Sequence, residues 1–156
     1  MEELFRELDA LLSREGELYQ ELVEMAKSKQ DHLVQNDLEG IGEVLTREEE
    51  ILDRIADEEE KRKNLLEKME GEDKNFNKIC EEAPAELTEN LREIRQALLL
   101  TMEELWEVNE TNNRLIQDSL VFNKNMVHSL AKIRGASTYS REGKKEDHRS
   151  FIDKKA

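Results

Sequence analysis

Cysteine, proline and aromatic residues are nearly absent from this chain. Its 156 residues include one cysteine and one proline, and aromatics make up 4%. The lone Cys80 excludes an internal disulfide and fits a reducing compartment. One proline and few β-branched residues argue against sheets and turn-rich folds. No stretch approaches the roughly 20 apolar residues that a membrane span needs. The opening Met1-Glu2-Glu3-Leu4-Phe5 has neither a basic start nor an apolar run, so it lacks the pattern of a signal peptide. A cytoplasmic protein without stable membrane insertion is the expectation.

The motifs of common catalytic chemistry are missing too. Carboxylate metal sites in helical bundles need Glu-x-x-His pairs facing inward. His32, His128 and His148 each lack a glutamate three residues earlier. No Cys/His set has zinc spacing, no histidine lies near Cys80 in sequence, and no glycine-rich phosphate loop occurs. The triplets Glu48-Glu49-Glu50 and Glu58-Glu59-Glu60 occupy successive helical positions, so their side chains fan out rather than converge. Neither an enzyme nor a bound cofactor or metal is expected.

What the chain has is charge. Charged residues make up 40%, with a net charge of −14. Residues 135–156 carry six cations against four acids, a balance of +2 that leaves −16 on residues 1–134. An acidic body repels phosphate backbones, which argues against nucleic acid.

Apolar residues recur with helical spacing. Leu4, Leu8, Leu11, Leu18, Leu22 and Met25 form one stripe over residues 2–34, with Phe5, Leu12, Tyr19 and Ala26 beside it. That face is broad enough for two neighbours. Asn36-Asp37 supplies a break and a cap. A second helix over 38–70 carries Leu38, Ile41, Leu45, Leu52, Ile55, Leu66 and Met69, and its register also meets Glu48, Glu59 and Arg62. Gly71-Glu72-Asp73 ends it, and residues 74–82 form a short helical turn. Pro84 suits the first turn of a third helix running to about 134, with Gly135 as its cap.

The third helix changes character along its length. Leu87, Leu91, Ile94, Leu98, Met102 and Leu105 follow a coiled-coil repeat. The same register then meets Asn109 and Asn112, returns to Ile116 and Leu120, meets Asn123, and closes with Val127 and Leu130. Two readings of the asparagines stay open: they fix register across the bundle, or they line a groove for a partner that arrives later. Trp106 lies off the stripe and reads as core against a third neighbour. Met102, Met126 and Leu130 also suit an adaptable surface. The expected fold is all-α: a long antiparallel helical hairpin or three-helix coiled-coil-like bundle over 1–134, with a very long third helix and a flexible tail over 135–156.

One ordered set of residues resembles a known family. Leu11-Leu12, Glu15, Tyr19, Leu22, Lys29, Leu33, Asp37-Leu38, Leu45, Glu49-Glu50, Leu52 and Arg62 come first. Asn109-x-x-Asn112-Asn113-x-Leu115-Ile116, Ser119-Leu120-x-Phe122, Leu130 and Thr138-Tyr139 with Gly143 follow. In that order they resemble the FlgN flagellar secretion chaperones. The resemblance implies a chaperone for the hook–filament junction proteins FlgK and FlgL, serving the flagellar type III export apparatus. It implies that the second half of helix three, with Asn109, Asn112, Asn113, Leu115, Ile116, Leu120, Asn123, Val127 and Leu130, holds the partner's C-terminal region. It also implies that Tyr139 contacts the export gate, although here Ser140 follows where the family has glycine. The alternative is a structural coiled-coil protein that assembles with itself, and a homodimer is compatible with either reading.

Overall fold

The structure, a computed structural model, describes residues 1–69 and 75–134. The expected helix stop at Gly71-Glu72-Asp73, the Gly135 cap, the tail over 135–156 and Tyr139 lie outside those residues. The described residues form four helices: α1 (Glu2–Gln35), α2 (Leu38–Lys68), α3 (Phe76–Glu82) and α4 (Ala85–Ile133). The described residues contain no strand. Two compact units are distinguished, Met1–Ile116 and one that begins at Gln117, within α4.

The α1–α2 corner follows from four residues. Asn36 takes the left-handed conformation (φ 58°) that ends a helix, and its N–H and that of Asp37 close onto the last carbonyls of α1. The Asp37 carboxylate accepts from the Gly40 N–H at 3.1 Å, capping α2. That bond, supported by the His32 ring 3.0 Å away, holds the Asp37 carboxyl below its ordinary pKa. Gly40 is required by close approach, because a Cβ there would run into the His32 ring and the Asp37 carboxylate. Further on, Asn75 caps α3 through the Lys78 N–H. Pro84 stands just ahead of α4 and gives its carbonyl to Leu87 and Thr88, where its missing N–H costs nothing.

Within the first unit α1 is shared. Phe5, Leu8, Leu11 and Leu12 are buried against Leu65 of α2 and Met69 at its C-cap, Ile79 and Cys80 of α3, and Leu91 and Leu98 of α4. Each such side chain contributes about 1.5–3 kcal/mol of hydrophobic burial. Arg14 with Glu58 and Lys29 with Glu48 show that α1 and α2 are antiparallel. Asp9 with Asn90 and Lys27 with Glu104 show that α1 and α4 run parallel. Burial also pushes the Cys80 thiol above its usual pKa, so Cys80 acts as a small core residue.

The inward face of α2 departs from the expected one. Gly40, Val44, Ile51, Ile55, Glu58 and Leu65 are buried, whereas Leu38 (78% exposed), Leu45 and Leu52 face outward. Two heptad stripes compete on this helix: 38/45/52 and 44/51/58/65. Counting leucines favours the first. The second wins because it aligns with Ile55 and its one charged member is neutralised, Glu58 receiving Arg14 at 2.9 Å and Lys61 at 2.8 Å. One turn along, Glu15 is 1% exposed and lies 2.9 Å from Arg62. Tyr19 donates to Glu59 at 3.0 Å, and burial and that bond push its pKa to about 12.

These two glutamates have opposite pH signatures. Burial raises the pKa of Glu15, outweighing Arg62, so its stabilising contribution is full below the unfolded carboxylate range and declines as pH rises. Lys61 and Arg14 lower the pKa of Glu58, so its contribution is present above that range and is lost as pH falls. Between pH 3 and 7, the stability cost of Glu58→Gln should grow with pH and that of Glu15→Gln should shrink, as read by urea melts. Parallel pH trends would contradict the assignment. A second expectation concerns Gly16, where an added Cβ would meet nothing within 4 Å. Gly16→Ala should raise stability by about 1 kcal/mol, or about 2–4 °C in a thermal melt.

Candidate functional site

The first and last parts of α4 differ in what they bury. Leu91, Leu98 and Asn112 are its buried residues, all within the first unit. From Gln117 to Arg134 no described side chain is buried. Leu120, Val121, Phe122, Met126, Val127, Leu130 and Ile133 are all exposed, and Val127 is 60% open to solvent. Isolated exposed apolar residues are ordinary, but a run of this density marks an interaction surface.

The residues expected to bind a partner separate into distinct environments. Asn112 is 1% exposed, and its Nδ2 donates to the Ala26 carbonyl of α1 at 2.8 Å. It therefore faces α1 and not an incoming chain. Its Oδ1 has no hydrogen-bond partner among the described residues. Asn109 and Leu115 are half-buried, while Asn113 and Ile116 are exposed. In the second unit Leu120, Asn123, Val127 and Leu130 are all exposed, and their spacings of three and four put them on one face. Asn113 and Leu115 fall on opposite flanks of that stripe.

Trp106 also departs from expectation. It is 65% exposed instead of joining a core. Its neighbours on the helix surface at i−3 and i+4 are Glu103 and Glu110, and such flanks are a sequence signal against burial. Leu99 and Leu100, on no stripe that the sequence marks, are likewise exposed, as is Met102, which also suits an adaptable surface. Among the described residues no cluster of His, Cys, Asp or Glu is arranged to hold a metal ion, and no helix is long and apolar enough to cross a membrane.

An all-helical first unit and a bare apolar helical face after it agree with one comparison. The family model described as FlgN protein matches residues 1–147. The chain belongs to the FlgN family. FlgN proteins are flagellar chaperones and a non-enzymatic family, so this chain is a flagellar export chaperone. No curated protein and no solved structure matches it.

The asparagines should behave differently on substitution. Asn112→Leu removes a buried amide with an unpartnered oxygen, and Ala26 retains its place in the α1 ladder. The thermal midpoint should rise by the equivalent of about 1 kcal/mol. Asn123→Leu, at an exposed position, should change stability by less than about 0.5 kcal/mol and show instead as increased light scattering. A large stability change at Asn123 with none at Asn112 would reverse these placements.

Proposed function

We propose that α4, from the half-buried Asn109 through the exposed Ile116, Leu120, Asn123, Val127 and Leu130, binds the C-terminal helical regions of the junction proteins FlgK and FlgL. The chaperone keeps these segments unassembled in the cytoplasm and delivers them to the export apparatus. The observation that carries this reading is the continuous exposure of apolar residues over 117–133. An amphipathic substrate helix covers such a face by presenting anchors at i, i+3, i+4 and i+7. Asn113 and Leu115 form the flanks of the site. Asn112, bonded to the Ala26 carbonyl, anchors the preceding turn of α4 on α1. Tyr139, in the tail, is the contact for the export gate in the same reading.

Such a surface works by exchange. A substrate segment that folds on binding loses ordering free energy at that moment, so its affinity stays moderate and release at the gate remains accessible. The exposed Asn123 limits how tightly any one apolar stripe can seat.

Leu120→Asp combined with Val127→Asp tests this. Both residues are exposed, so the thermal midpoint should stay within the change expected for surface substitutions, about 0.5 kcal/mol. Affinity for a FlgK or FlgL C-terminal peptide, measured by calorimetry, should fall at least about tenfold. Unchanged peptide affinity, with large assemblies of the free protein falling apart, would favour the self-assembling coiled coil.

A further inference from the structure

A second surface lies within the first unit. A cleft of about 290 Å³ opens between α2 and α4 above α1. Leu12 and Tyr19 form its floor, Glu59 and Leu66 its α2 wall, and Leu99 and Met102 its α4 wall. Both walls continue past the cleft. Trp106 follows Met102 by one turn, and Leu52 precedes Glu59 by two turns on the same helical face. Lys29 pairs with Glu48 of α2 and Lys27 with Glu104 of α4, so Leu52 and Trp106 stand within about one turn of the same level along α1. From Leu66 to Leu52 the groove is roughly 21 Å long at 1.5 Å per residue, room for about four helical turns. Leu52, Leu99, Met102 and Trp106 are all more than 40% exposed along it.

Charge along this groove is uneven. At the α3 end, Arg62 faces Glu15, and Arg95 stacks over the Phe76 ring at 5.0 Å from its centroid. At the Trp106 end, Glu103 and Glu110 flank the indole, and Glu49 lies one turn from Leu52. With a net charge of −16 on residues 1–134, two copies of this acidic body repel one another. A second copy is therefore the wrong occupant. The right one brings apolar anchors and positive charge together.

We propose that this groove docks an amphipathic helix of another protein, with an apolar stripe of about four turns and Lys or Arg clustered at the end beside Trp106. The helix completes a four-helix arrangement over α1, α2 and α4. Trp106 acts as its aromatic anchor, the residue type that most often dominates binding energy at interfaces. The site is separate from the 117–133 face and does not depend on what that face binds.

Trp106 is the sole tryptophan, so the full chain carries its own reporter. The probe is a helical peptide of about 18 residues with leucine at alternating spacings of three and four and lysines gathered at one end. Its control carries glutamate at the lysine positions. The lysine peptide should shift Trp106 emission to the blue and bind at least about tenfold more tightly than the control. Met102→Asp, at an exposed position, should abolish the shift and weaken binding about tenfold at an unchanged melting temperature. Glu103→Lys with Glu110→Lys should invert the preference between the two peptides. Leu120→Asp with Val127→Asp should leave this binding intact, which separates it from the substrate face. Equal lysine-peptide affinity in the Met102→Asp chain would reduce the effect to general charge attraction and overturn the groove. A blue shift that grows with protein concentration alone would identify a second copy as the occupant and also overturn it.

Discussion

The first unit depends on α1 being apolar over a face wide enough for two neighbours. Leu8 and Leu11 are buried in the same cluster as Leu65 of α2 and Leu91 of α4, so one helix serves as the reference for both. Apolar packing of this kind specifies contact better than register, since a heptad slip presents nearly the same stripe. Register comes from the polar pairs laid across the seam: Arg14 to Glu58, Glu15 to Arg62 and Lys29 to Glu48. Buried ion pairs contribute little net stability, because desolvation offsets their attraction. Their value here is that a shifted α2 would strand Glu15 and Glu58 without counter-charges, and an uncompensated buried charge costs far more than a lost pair returns.

Helix lengths carry the argument from fold to function. α4 has 49 residues, against 34 in α1 and 31 in α2. Apolar periodicity persists along all of it, but burial stops at Asn112. A residue that continues a core repeat without a core beside it adds little to folding, and its exposed area is what the proposed substrate contact would use. A flagellar export chaperone needs such a surface, since its cargo must be covered when loaded and released before threading.

Much of the fold was legible because composition and period agree. The absence of strand formers, the Asn36-Asp37 corner and the α1 stripe follow from propensity and capping alone. The α2 face was not legible, since periodicity offered two heptads and only the pairing of Glu58 with Arg14 and Lys61 separates them. Trp106 was misjudged for a related reason: large aromatics are usually well buried, and only its glutamate neighbours signal otherwise. The candidate site was legible as a stripe but not in depth. Spacing places Asn112 and Asn123 on comparable faces, yet one donates to the Ala26 carbonyl and the other faces water.

Exposed apolar surface on this scale invites aggregation, and the charge of the chain counters it. A net charge of −14 makes copies repel one another at long range, where apolar attraction has no reach. The repulsion falls off over about 8 Å at physiological salt, so it governs encounter more than final contact. Residues 117–134 are an exception to this acidity, with Lys124, Lys132 and Arg134 against Asp118 alone. The glutamates around Trp106 act in the opposite sense, holding off acidic chains and other copies from an equally apolar groove. Surfaces of similar hydrophobicity on one chaperone are thus distinguished by the charges beside them.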